Sequence, residues 1–151
     1  MSKIKGLVAL ALALAFGGIG VTPASATPST PVTITVLADF SGPVPQGTFT
    51  AMSPLCSSGT FITEPIAGGG GAVAAAFTGL QHFSCDDASG TFTFEFHPQV
   101  HPPDFIDHGP WAALGGTGAY DALRGSGDFT LLGFLSPTAA VATFTGEVHF
   151  D

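Results

Sequence analysis

Two short stretches of this chain put acid and imidazole side chains at a spacing suited to chemistry. One is Thr93-Phe94-Glu95-Phe96-His97 and the other is Thr145-Gly146-Glu147-Val148-His149. In an extended strand, residues two apart share a face about 6.5 to 7 Å from one another, so each stretch presents a carboxylate beside an imidazole. If the two strands were neighbours, Glu95, His97, Glu147 and His149 would converge on a metal ion or form an acid–base pair. The plainer reading is a solvated outer face, with Phe92, Phe94 and Phe96 turned inward behind it. A third group, His97, His101, Asp104, Asp107 and His108, has donors for zinc or copper but matches no closed-site spacing. No resident metal and no cofactor is expected.

Arg124 is the one Arg in the sequence and sits in the glycine-rich stretch 111–127, WAALGGTGAYDALRGSG. Two readings stand for it: an ion pair fastening a loop, with Asp121 and Asp128 nearest in sequence, or a bidentate anchor for a ligand carboxylate or oxyanion at a barrel mouth. The glycines themselves do not cradle phosphate. A P-loop needs Lys followed by Ser or Thr, and the dinucleotide fingerprint needs a third glycine opening a helix; both are missing. A tight turn between strands, using the freedom of glycine at positive φ, accounts for them better. No G-x-S-x-G elbow supports a serine hydrolase.

The elements that would position these residues are strands. Runs of Val, Ile, Thr and Phe at 32–39, 47–52, 60–64, 72–78, 81–85, 91–97, 112–114, 128–134 and 142–150 are divided by Gly, Pro, Ser and Asp, the pattern of an all-β domain. The run 91–97 alternates Phe with polar residues, and the closing run repeats this with Ala142, Phe144, Val148 and Phe150 on one face. Gly68 to Gly71 reads as a flexible turn, and the Pro-rich 97–110 as a long irregular connection. A barrel and a sandwich both satisfy this spacing. Burying most of the fourteen Phe would supply the core, each contributing roughly 1.5 to 3 kcal/mol.

Lys3 and Lys5 precede an uncharged apolar run that ends in small residues around Ala24-Ser25-Ala26, the form of a secretory signal peptide. Residues 1–26 are expected to be cleaved, leaving a single secreted domain at 27–151. Arg124 then remains as the one Lys or Arg against eleven Asp and Glu. Nucleic-acid and anionic-membrane partners, which require cations facing phosphates, are excluded on that balance. In an oxidising compartment Cys56 and Cys85 are expected to form one disulfide.

The segment Gly115-Gly116-Thr117-Gly118-Ala119-Tyr120-Asp121-Ala122-Leu123-Arg124-Gly125, preceded by Trp111 on an apolar strand, resembles the G-G-T-G-x-[FY]-x-x-[AL]-R-G segment of the allene oxide cyclase and dirigent superfamily. It is most similar to small secreted bacterial members of unknown function. The resemblance covers residues 111–127, and the closing FTGEVHF is compatible with it. It implies a small antiparallel barrel of about eight strands, often trimeric. The barrel would hold an apolar cavity, in which plant members keep a reactive lipid epoxide or phenoxy-radical product and steer its stereochemistry. Arg124 corresponds to the Arg of the motif and Tyr120 to its aromatic, so Arg124, Tyr120 and Trp111 are the ligand-binding candidates. The acidic and polar cavity residues of the plant enzymes have no identifiable counterpart in this sequence. The expectation is a secreted barrel that binds a small hydrophobic molecule. The alternatives are a cyclase or isomerase of the dirigent kind, and a non-catalytic structural or surface-interaction module.

Overall fold

In the computed structural model, which describes residues 27–70, 75–101 and 106–151, the alternating runs become nine antiparallel strands. They are β1 (Thr30–Asp39), β2 (Gln46–Ala51), β3 (Ser58–Gly70), β4 (Ala75–Cys85), β5 (Gly90–Phe96), β6 (Gln99–His101), β7 (Ile106–Gly118), β8 (Leu123–Ser136) and β9 (Ala139–Phe150). The order β3-β2-β1-β9-β8-β7-β5-β4 returns on itself through a β3–β4 pairing, so eight strands close a barrel. β6 extends the line of β5 past Pro98 and bridges β4 and β7. No helix occurs among the described residues. The closed ring decides for the barrel over the sandwich, and closure removes the exposed sheet edges that an open sheet would carry. The proposed signal peptide, residues 1–26, lies outside the described residues.

Period-two patterning sets which side chains fill the barrel. Val32, Ile34, Val36 and Ala38 of β1 point inward, as do Phe92, Phe94 and Phe96 of β5 and Ala142, Phe144 and Val148 of β9. Thr93, Glu95, Thr145 and Glu147 take the outward positions. One end of the barrel is packed with rings. Phe83 stacks on Phe92 at 4.7 Å, Phe94 on Trp111 at 4.2 Å, and Phe144 meets Phe83 and Phe94 edge-on. Each such pair adds about 0.5 to 1.5 kcal/mol beyond its burial. The Cys56–Cys85 disulfide closes this same end, joining the β2–β3 connection to the last residue of β4.

Several sequence breaks prove to be packing devices inside strands. Gly79 interrupts no strand: β4 runs through it, because a Cβ there would come within 2.9 Å of the Phe96 ring. The segments expected at 72–78 and 81–85 are therefore one strand from Ala75 onward. Gly68 to Gly70, expected to turn, belong to β3 and pair with β4, while Gly71 lies outside the described residues. The connection expected to be irregular at 97–110 contains β6 and the start of β7. Proline removes a donor but keeps its acceptor: Pro110 O accepts from His97 N at 2.9 Å and Pro98 O from Phe77 N at 3.3 Å.

The glycine motif is corrected in the same way. Gly115, Gly116, Thr117 and Gly118 do not form the reversal; they are the last residues of β7, paired to β5 as Phe92↔Gly116, Thr91↔Thr117 and Gly90↔Gly118. Gly116 packs so closely on the Thr91 carbonyl that a Cβ would collide with it, and Gly115 (φ +93°) and Gly118 (φ +61°) use conformations that favour glycine. The reversal itself is residues 119–122, held by Tyr120 N to Thr117 O and Leu123 N to Tyr120 O, both 3.2 Å.

Candidate functional site

The barrel is unevenly filled because its inward residues change size along the strands. Toward the disulfide end β1 and β9 contribute Ile34 and Phe144; toward the far end the same two strands contribute Ala38, Ala140 and Ala142. The small side chains leave a cavity of about 390 Å³, within the range of small-molecule sites. Its walls are Phe61 of β3, Phe77 of β4, Phe96 of β5, and Phe129 and Leu131 of β8, together with Val36 and the three alanines. Phe40 and Phe134 also line it, with ring centroids 6.4 Å apart, and are its most solvent-exposed apolar side chains, Phe134 being 60 % exposed.

Three polar side chains interrupt this apolar wall: Thr63, Gln81 and Asp107. Gln81 is 3 % exposed and Asp107 8 %. Alternation on β4 turns Gln81 inward with Phe83 and Phe77, and alternation on β7 turns Asp107 inward while His108 faces out. Gln81 Nε2 and Asp107 Oδ1 are buried without a hydrogen-bond partner. Leaving such a group unsatisfied costs on the order of 1 to 3 kcal/mol. Burial pushes the Asp107 carboxyl up from 3.8 to about 6, with the neighbouring His108 pulling weakly the other way.

The residues singled out by sequence lie elsewhere. Trp111 is a core residue, stacked on Phe94, with Nε1 donating to Thr145 O at 3.1 Å. Tyr120 is buried against Phe92, its hydroxyl 3.3 Å from Ser89 Oγ. Arg124, 46 % exposed in its side chain, donates from Nη1 to Leu123 O at 2.7 Å and lies 3.7 Å from Asp151 Oδ2. Its acidic partner is thus Asp151, across the end of β9, rather than Asp121 or Asp128. Tyr120 and Arg124 belong to the disulfide end, Trp111 lies mid-barrel in register with Phe96, and none of the three lines the cavity.

The acid–imidazole pairs also stay apart. β5 and β9 are separated in the barrel by β7 and β8. His97 Nε2 lies 3.6 Å from Glu95 Oε1 and its Nδ1 2.9 Å from Thr78 Oγ1, while His149 faces Asp151 at 3.3 Å and Glu147 accepts from Ser29 Oγ at 2.8 Å. These are outer-face contacts. Among the described residues no three His, Cys, Asp or Glu side chains gather as metal ligands. In the loop group Asp107 and His108 point to opposite faces, and Asp104 lies outside the described residues.

In the sequence Asp107 belongs to that loop group as a ligand donor rather than a cavity wall, and Gln81 is marked only as the first residue of a strand run. The available signal was that Gln81 occupies an inward position in phase with Phe83, where alternation calls for an apolar residue. No protein-family model and no curated protein matches the chain.

Proposed function

We propose that this is a secreted barrel that binds a small hydrophobic molecule in the far-end cavity, with Gln81 and Asp107 orienting it. The observation that carries the reading is the pairing of an open apolar cavity with two buried, unpartnered polar atoms in its wall. An empty apolar void needs no polar groups, and a filled structural core would have paired them. Of the motif residues, Trp111 packs in the ring core, and Tyr120 and Arg124 fasten the closed end. Trimer formation and membership of the allene oxide cyclase and dirigent superfamily belong to this proposal, on the strength of the 111–127 segment.

A cyclase or isomerase reading has one observation in its favour: a cavity carboxyl with a pKa of about 6 is suited to giving or taking a proton near neutral pH. The test of the binding reading is titration of the folded 27–151 chain with the neutral fluorophore N-phenyl-1-naphthylamine, alongside Ala142→Phe. A ring at position 142 would occupy the cavity, so saturable enhancement in the parent chain and at least ~10-fold weaker binding in the variant are expected. Equal binding by both chains refutes the cavity as the site.

A further inference from the structure

The chemistry of the cavity wall restricts what it will hold. An apolar body is required by Phe61, Phe77, Phe96, Phe129 and Leu131. The polar requirements are specific: Gln81 Nε2 needs an acceptor and Asp107 Oδ1 needs a donor. No Lys, Arg or His is among the lining residues, and Arg124 is fastened at the opposite end of the barrel to Leu123 O and Asp151. A carboxylate ligand would therefore enter a low-dielectric space with no counter-ion and with the Asp107 carboxyl in the same wall, an arrangement of like charges that disfavours both. An ammonium ligand would answer Asp107 but has no acceptor for Gln81. A ketone or ether would answer Gln81 and leave Asp107 unpaired.

We infer that the cavity selects neutral aliphatic alcohols, whose hydroxyl accepts from Gln81 Nε2 and donates to Asp107 Oδ1 while the hydrocarbon chain fills the space between the Phe side chains. The inference rests on the binding reading above and adds the head group to it. Hydroxyl groups are the smallest neutral function that is both donor and acceptor, and each pairing removes the cost of a buried unsatisfied atom. Discrimination should be larger than an aliphatic wall alone gives, because a site built around polar groups rejects ligands that leave them unpaired.

The test is displacement of N-phenyl-1-naphthylamine at pH 7.5 by four ligands of matched length: 1-decanol, its methyl ether, decanoate and decylammonium. The alcohol is expected to displace the probe at concentrations at least ~10-fold below those of the other three, the size of one hydrogen bond to a charged group. Asp107→Asn should cut the discrimination against decanoate to a few-fold, and Gln81→Met should cut the preference of decanol over decylammonium to a few-fold, each read as a ratio of ligands within the same variant, with circular dichroism confirming that both variants fold. If either variant fails to fold, the four-ligand series on the parent chain still decides. Probe binding with decanoate, decylammonium or the ether equal to decanol overturns the alcohol inference and leaves the cavity reading standing. Absence of saturable probe binding overturns both.

Discussion

Replacing Asp107 with Asn should make this barrel more stable, and by an amount that depends on pH. Asp107 is 8 % exposed in an apolar wall, and burial raises its carboxyl from 3.8 to about 6. A shift of about 2 units, at ~1.36 kcal/mol each, is about 3 kcal/mol. The sign follows from proton linkage. Between pH 3.8 and 6 the folded chain holds a proton at this site that the unfolded chain has released, so stability falls as pH rises through that window. Below pH 3.8 the acid is neutral in both states and behaves like Asn; above about 7 the folded chain carries the whole cost of the buried charge. Asp39 and Asp87 are shifted downward by hydrogen bonds from Ser41 and Ser89 and act in the opposite sense, but they are common to both chains and cancel in the difference. Urea unfolding of the parent and Asp107→Asn at pH 3.5, 5, 6.5 and 8 should give curves that coincide in acid and separate to about 3 kcal/mol at pH 8. A constant offset across this range would show that Asp107 is not held in the apolar wall, and would remove the basis for its role in the cavity.

Three other perturbations have clear expectations. Cys56→Ser with Cys85→Ser opens a loop of 29 residues' separation and should lower stability by roughly 3.5 kcal/mol in urea unfolding, by the chain-entropy argument. Arg124→Ala removes an exposed ion pair to Asp151 at 3.7 Å and should cost under ~1 kcal/mol; affinity for a neutral apolar probe should be unchanged, and a marked loss of binding would return Arg124 to the site. Phe83→Ala hollows the ring cluster formed with Phe49, Phe92, Phe94 and Phe144 and should cost about 3 to 5 kcal/mol in thermal or urea unfolding, whereas a value under 1 would mean that the closed end is not tightly packed.

The all-β class was legible because alternation is a direct record of which face is buried, and the Phe92-Phe94-Phe96 and Ala142-Phe144-Val148 rows read correctly. The disulfide was legible because two cysteines leave one pairing. Strand lengths were not, since Gly79 looks like a break in one dimension and acts as clearance for Phe96 in three, while Gly68 to Gly70 continue β3 in its pairing with β4. The motif glycines misled for the same reason: their close approach to β5 keeps Gly116 and Gly118 in a strand. The cavity was hardest to see. It arises from the coincidence of Ala38, Ala140 and Ala142 on paired strands β1 and β9, a match between distant residues that no single stretch displays. Gln81 and Asp107, on β4 and β7, meet the same cavity only after the ring has closed.

The most direct test of the central claim is a ¹³C and ¹⁵N chemical-shift map of the folded 27–151 chain during titration with N-phenyl-1-naphthylamine. Binding in the far-end cavity should produce saturable shifts at Phe77, Gln81, Phe96, Asp107, Phe129 and Leu131, with Tyr120 and Arg124 unmoved. Shifts centred on Trp111, Tyr120 and Arg124, or none that saturate, would contradict the account.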